Sequence, residues 1–383
     1  MGTPAKRATL TPVPGSICDV LPAVAALFDV PDAVDRLGLA EQVGDVDRVL
    51  VVLVDGLGWH LLPRLAGDAP LLASVLAGAG RLGQLECTFP STTPTSLVSL
   101  GTGAQPGEHG ILGFTLNIPG TDRVLTHILW RDDPPYPEWQ PLPTWFERLR
   151  AAGVDARAVL PAAFIGSGLT DAAYRGAQLL ALHPNGDHAA QLTEVLRAGP
   201  GVVYGYTADL DNAAHAFGVG SPQWHQAAAG IDALLTRLVE ALPRNAALLV
   251  TADHGGLNVA PDARVDLDLD PRLGAGVRVV AGEARVRYLH TQPGAAADVQ
   301  AAWTEAAAGW AHVYSREQAV ASGMFGPVNP AHLARIGDVV VVCTGDAAVL
   351  ATAHEPAEMA RLIGFHGGRT DVEMAIPLIV LPA

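Results

Sequence analysis

Lysine is almost missing from these 383 residues. Lys6 is the only one, so nearly every basic side chain is arginine, a pattern expected of base composition rather than of function. The formal net charge is −15 and no basic run occurs, which argues against tracking a nucleic-acid backbone, where clustered Lys and Arg supply the affinity. The three cysteines, Cys18, Cys87 and Cys343, are odd in number and far apart. Neither a disulfide framework nor a cysteine zinc knuckle follows, and a reducing cytoplasm is the expected compartment. Long apolar runs are missing too. Cys87–Gly107 and Asn212–Ile231 each run for about 20 residues without Asp, Glu, Lys or Arg, but both are rich in Ser, Thr, Gly, Asn or His, unlike a membrane span. The N-terminus carries Lys6 and Arg7 and then breaks on prolines, so no signal peptide is expected.

What is present is apolar residue in quantity, 49% of the chain, enough for a large core. Arg48–Val54 is a short β-branched run closed by Asp-Gly, as expected of a central parallel strand buried on both faces. Similar runs return at Gly201–Tyr206, Ala246–Thr251, Val339–Cys343 and Ile376–Leu381. Helical periodicity lies between them, at Pro70–Ala79, Pro94–Gly101 and Gln223–Leu242. The alternation predicts an α/β fold, a doubly wound and mostly parallel sheet sandwiched by helices. A single domain over residues 1–383 is expected, with Leu257–Pro327 as an inserted cap and the proline-rich Arg131–Trp145 as an ordered loop near the site. Substrate choice is expected to reside in those two segments.

Polar clusters recur in a fixed order along this frame: Asp55-Gly56, Asp211 with His215, Asp253-His254-Gly255-Gly256, and His366-Gly367-Gly368. Asp55, Asp211 and Asp253 each follow the end of an expected strand, the edge where open α/β sheets gather their ligands. Asp211 and His215 are four apart and share a helical face, whereas Asp209 is six from His215 and fits less well. Three aspartates and three histidines make six ligands, enough for two three-ligand divalent-metal sites. Such ions would also give an acidic chain the positive charge a phosphorylated substrate needs. Phe89-Pro90-Ser91-Thr92-Thr93 precedes a helix opening at Pro94, so a hydroxyl of Thr93 would face free backbone N–H groups. The bland alternative is that Thr92 or Thr93 only caps that helix.

At these residues the chain resembles the alkaline phosphatase superfamily, in its nucleotide pyrophosphatase/phosphodiesterase branch. The resemblance runs from about Arg48 to the C-terminus and is weakest over Leu257–Pro327. It implies that Thr93 is the nucleophile, passing through a phosphothreonine. It also implies one Zn²⁺ on Asp55, Asp253 and His254 with Thr93 as fourth ligand, and another on Asp211, His215 and His366, Mn²⁺ being the alternative metal. Tyr206 falls where relatives stack a nucleotide base and is expected at the rim with its ring facing the cleft. One departure stands out: Phe114 occupies the place of an asparagine that donates to a phosphoryl oxygen, leaving Asn117 or backbone N–H groups as substitutes. The expected substrate is small, phosphorylated and nucleotide-like, cleaved at a phosphodiester or pyrophosphate bond. Phosphonoacetate hydrolases share the threonine and both metal sites and remain an alternative, as does a silent, metal-dependent binder of a phosphorylated ligand. Sulfatases do not, because Cys87-Thr88-Phe89-Pro90 lacks their C-x-P-x-R run.

Overall fold

Arg48–Val54 sits in the middle of the molecule, and its residues Val49, Leu50, Val51, Val52, Leu53 and Val54 are all fully buried. Six consecutive buried residues, on both faces of the strand, can only lie inside a sheet covered on both faces. The computed structural model, which describes residues 15–183 and 186–382, places it in an eight-stranded sheet. The N-terminal segment with Lys6 and Arg7 lies outside those residues. In order across the sheet the strands are Gly15–Ser16, Arg81–Glu86, Ala375–Pro382, Ala246–Thr251, Arg48–Val54, Gly201–Thr207, Ala156–Pro161 and Gln178–Leu182. Every pairing is parallel except the two made by Ala375–Pro382. This is a mixed, mostly parallel α/β fold of the alkaline phosphatase type.

The direction of the strands decides where chemistry can occur. Arg48–Val54, Arg81–Glu86, Gly201–Thr207 and Ala246–Thr251 all end at one edge, and the reversed Ala375–Pro382 begins there. The expected helices form at Pro70–Leu76, Thr93–Thr102 and Pro222–Ala241.

Two strands depart from expectation. Ile376–Leu381 is in the central sheet but antiparallel to its neighbours. Val339–Cys343 is not in that sheet at all: it pairs antiparallel with Val286–Thr291 and Ala311–Ser315 in a separate four-stranded sheet completed by Val277–Glu283. Its apolar run reflects an inner position in a smaller core, where Val341 and Leu289 meet Trp303 of the helix Ala296–Ala306.

Ion pairs join the second sheet to the chain's last segments. Arg285, in the turn before Val286–Thr291, gives Glu373 two parallel bonds, Nε to Oε1 at 2.9 Å and Nη2 to Oε2 at 2.8 Å, with both side chains fully buried. The buried Arg287 holds the half-buried Glu355 through Nη1 and Nη2. Removing one member of such a pair leaves an uncompensated charge out of water. Arg285→Ala is therefore expected to lower unfolding stability by about 3–5 kcal/mol in urea titration, and a loss under about 1 kcal/mol would mean that Glu373 is held by its other partners alone.

Candidate active site

The strand ends bring three carboxylates together. Asp55 follows Val54 directly and is 3% exposed; Asp253 lies two residues after Thr251 and is fully buried. Asp253 Oδ1 accepts from the N–H of Gly56 at 3.1 Å and from that of His254 at 3.0 Å. Asp211 arrives on the helix Asp209–Phe217, and Gly56 makes room for it. Gly56 has φ +75°, and a Cβ there would lie 3.0 Å from Asp211 Cβ. Gly255 serves a similar purpose, since a Cβ would come within 2.0 Å of the Val372 carbonyl oxygen.

Each of the three histidines donates from the same ring nitrogen. Nδ1 of His215 reaches the Gly364 carbonyl at 2.8 Å, that of His254 the Gly255 carbonyl at 2.9 Å, and that of His366 the Ser91 carbonyl at 3.0 Å. A carbonyl can only accept, so Nδ1 carries the hydrogen in each. Every Nε2 is left to face the acids, the orientation a metal ligand needs. His215 Nε2 is 3.0 Å from Asp211 Oδ2 and 3.2 Å from His366 Nε2. His254 Nε2 lies 3.4 Å from Asp55 Oδ1 and 3.6 Å from Asp253 Oδ2. The His254 and His366 rings stack at 3.7 Å. Asp55, Asp253 and His254 bring ligand atoms within 4.8 Å of one another, as do Asp211, His254 and His366.

These residues fit divalent cations. Asp55 Oδ1 and Asp253 Oδ2 are buried without any hydrogen-bond partner, which is costly unless a cation takes them. Burial, then the charges of Asp253 and Asp211, push the Asp55 carboxyl well above the usual carboxylate range. Burial and the neighbouring His254 hold His366 well below the usual histidine range, leaving it neutral and able to ligate. At Asp211 burial acts upward, but His215 outweighs it and holds the carboxyl low; conversely, burial lowers His215 but Asp211 raises it to about 9. Cation binding there must displace that proton.

Thr93 opens the helix Thr93–Thr102, with Oγ1 3.2 Å from His254 Nε2 and 3.5 Å from Asp55 Oδ2. The side chain of Thr92, the residue at the cap position, makes no capping bond, so helix capping is not what this pair of threonines does. Residues 49–369 match the family model described as type I phosphodiesterase/nucleotide pyrophosphatase. The chain belongs to that family. Among solved structures it is similar to murine ectonucleotide pyrophosphatase/phosphodiesterase 5, in an inactive form in complex with AMP, with 19% identity over 87% of each chain and a TM-score of 0.69. The human counterpart gives the same identity, coverage and TM-score. Phosphonoacetate hydrolase from Sinorhizobium meliloti 1021, in complex with phosphonoacetate, matches at 21% identity over 86% of this chain and 89% of that one, with a TM-score of 0.65. No curated protein sequence matches the chain.

In this phosphodiesterase-family chain Asp55, Thr93, Asp211, His215, Asp253, His254 and His366 converge on one spot. The substrate-side expectations fare differently. Tyr206 is not at the rim: its ring is covered, 5% exposed, and its hydroxyl donates to Asp55 Oδ2. The partly exposed ring beside it is Phe164, edge-on at 5.8 Å. Asn117 is 1% exposed and spends its amide N–H groups on the Thr121 and Arg123 carbonyls, closing a hairpin, so it has none left for a phosphoryl oxygen. Phe114 is half-buried, its carbonyl taken by the His127 N–H. Asp209 is exposed, and Asp211 makes the His215 contact. Three residues went unassigned by sequence reasoning. Ser91 ties the late loop down, its hydroxyl donating to the Gly368 carbonyl at 2.7 Å and accepting from Gly367 N–H at 3.1 Å. Glu373 accepts from Gly368 N–H at 2.8 Å. Glu283 lies 3.8 Å from His366 Nδ1, and burial pushes its carboxyl up to about 8. Only Ser91, inside the threonine-rich motif, carried a signal.

Metal analysis should find about two divalent ions per chain and about one after replacing Asp211, His215 or His366 by alanine. Asp209→Ala should leave the content unchanged; the opposite pattern for Asp209 and Asp211 would reverse the ligand choice.

Proposed function

We propose that this protein hydrolyses phosphodiester or pyrophosphate bonds of small, nucleotide-type substrates through a phosphothreonine intermediate. The observation that carries the proposal is Thr93, a hydroxyl at the start of a ten-residue helix, 3.2 Å from His254 Nε2 and beside both ligand clusters. Asp55, Asp253 and His254 would hold one divalent ion, and Asp211, His215 and His366 another. Such ions, most readily Zn²⁺ for an Asp/His donor set, supply Lewis acidity and neutralise charge on nucleophile, phosphoryl group and leaving oxygen.

The chain's own groups do the positioning. Thr93 Oγ1 loses its proton and forms the bond to phosphorus as the ester or phosphate leaving group departs with the P–O electron pair; water then adds its oxygen to phosphorus, and Thr93 Oγ1 leaves and is reprotonated. Free N–H groups at the head of Thr93–Thr102 face the phosphoryl oxygens and replace the missing asparagine donor. Tyr206 holds Asp55, and the three backbone-tethered imidazoles keep their geometry before substrate arrives. The AMP bound by the murine relative supports a nucleotide-type substrate. A phosphonate-cleaving activity is the second reading, favoured by the burial of Tyr206, which takes the expected base platform away from the cleft.

Thr93→Ala should cut kcat by about a thousandfold or more while metal content and folding stay intact, and Thr93→Ser should restore part of it. Activity within about tenfold of wild type in the alanine variant would remove Thr93 from the mechanism.

Diesters should be favoured over monoesters in kcat/KM under saturating zinc, because a doubly charged terminal phosphate calls for an arginine clamp. Arg285 and Arg287 are committed to Glu373 and Glu355. A clear monoester preference would overturn that assignment, and turnover of phosphonoacetate alone would favour the second reading.

A further inference from the structure

The helix Thr93–Thr102 carries Thr93 at its first position, so the seating of the helix decides where that hydroxyl stands. Every residue from Pro94 to Thr102 is buried, and Leu97, Val98 and Leu100 sit in the main core. Apolar packing is non-directional, so it does not by itself set how far such a helix projects or how it is turned. Hydrogen bonds are directional and do.

Three buried polar side chains cross-link this helix to the segments on either side of it. Thr88, in the turn between Arg81–Glu86 and the helix, is 2% exposed; Ser99 and His109 are fully buried. Thr88 Oγ1 lies 3.0 Å from Ser99 Oγ, which lies 2.9 Å from His109 Nε2. The far end of this chain fixes its direction. His109 Nδ1 accepts from the Ile111 N–H at 3.1 Å, so the one hydrogen of a neutral ring is on Nε2 and goes to Ser99. The ring is neutral, because burial and then the neighbouring His332 and Arg335 hold it well below the usual histidine range. Ser99 keeps its own hydrogen to give to Thr88.

The His109 end is itself fastened. Pro330–Arg335, just ahead of Val339–Cys343 in the second sheet, grips the chain on both sides of His109. His332 Nδ1 donates to the Gly107 carbonyl at 3.0 Å, and Arg335 Nη1 to the Gly110 carbonyl at 2.8 Å. The segments are so close that a Cβ on Gly107 would lie 2.4 Å from the Pro327 carbonyl oxygen, and one on Gly110 2.8 Å from His332 Nε2.

We propose that His109, Ser99 and Thr88 are positioning residues for Thr93, a relay anchored by Pro330–Arg335 that sets how deeply Thr93 Oγ1 stands against the ligand clusters. The inference rests on the reading of Thr93 as nucleophile. It requires no charge on any of the three side chains, only their hydrogen bonds. Thr88 and Ser99 bracket Thr93 in the chain, so the bond between them closes a loop around the nucleophile.

The test is steady-state hydrolysis of bis(4-nitrophenyl) phosphate by the zinc-loaded protein, with metal content and melting temperature measured alongside. Substitutions are made at the hydroxyls, because removing a buried imidazole would leave a cavity. Thr88→Val, which keeps the shape, and Ser99→Ala should each lower kcat by about 10–100-fold, with KM and zinc content unchanged. Thr88→Ser should keep most of kcat, since it retains the hydroxyl. Thr88→Val combined with Ser99→Ala should lose no more than the worse single variant, because a relay is broken once. A merely structural role would lower the melting temperature and leave kcat of the folded enzyme as it was. Wild-type kcat in both single variants, losses that multiply in the double, or Thr88→Ser as impaired as Thr88→Val would overturn the inference. Wild-type kcat in the relay variants beside an inactive Thr93→Ala would overturn it alone; full activity in Thr93→Ala would remove the nucleophile reading and this inference with it. If the wild type does not cleave that diester, phosphonoacetate serves for the same comparison, and turnover of neither would overturn both.

Discussion

Crowded negative charge is the constraint on which the site depends. Asp55, Asp253 and Asp211 meet at one sheet edge, and two of their buried oxygens lack any hydrogen-bond partner. Like charges so close cannot all stay ionised in a low-dielectric interior unless cations join them. Three imidazoles turn Nε2 toward the same spot, His215 and His366 meeting nitrogen to nitrogen at 3.2 Å. Protons can relieve part of this, as the raised Asp55 and His215 show, but protonated ligands do no chemistry on phosphorus. Divalent ions would satisfy acids and imidazoles together.

Such a site is held open by the backbone around it. Its loops approach so closely that side chains are excluded, Gly56 against Asp211 and Gly255 against the Val372 carbonyl. Glu373 gathers the late loop and its neighbour: its carboxylate accepts from Gly368 N–H, its carbonyl accepts from Gly255 N–H, and Arg285 neutralises it. The Asp253-His254 turn and the His366 loop are thus fastened through one residue, itself anchored to the second sheet. Errors in one loop pass to the other, and a shift of an ångström at a reacting centre is enough to matter.

The clustered acids and histidines were legible because their chemistry and their fold position agree. Acidic and histidine clusters stood after apolar runs, and parallel strands send such positions to one edge. What sequence did not convey was direction and membership. The run Ile376–Leu381 announces a strand but not that it runs backwards, and Val339–Cys343 looks the same whether it is inside a large sheet or a small one. Tyr206 was expected at the rim, but its ring is covered beside Phe164 and its hydroxyl is spent on Asp55, contacts that local sequence does not reveal. Asn117 offered the right donor, and nothing local revealed that a hairpin needed it more. Glu283 and Glu373 were invisible for a related reason. Each is an acid at the border of a strand or helix, and only the packing of one sheet on another shows what it faces.

The displaced Tyr206 has a consequence for the electrostatics. Burial, with Asp55 next, pushes its phenol well above the usual range, so it stays protonated at any pH where the site could work. It therefore gives Asp55 a hydrogen bond without adding a charge to an already crowded cluster. That bond occupies Oδ2 and leaves Oδ1 without a partner, turned toward His254 at 3.4 Å. A carboxylate with one oxygen held by a neutral donor keeps the other available for a cation. The tyrosine that a rim position would have made a base platform instead orients the carboxylate beside Thr93.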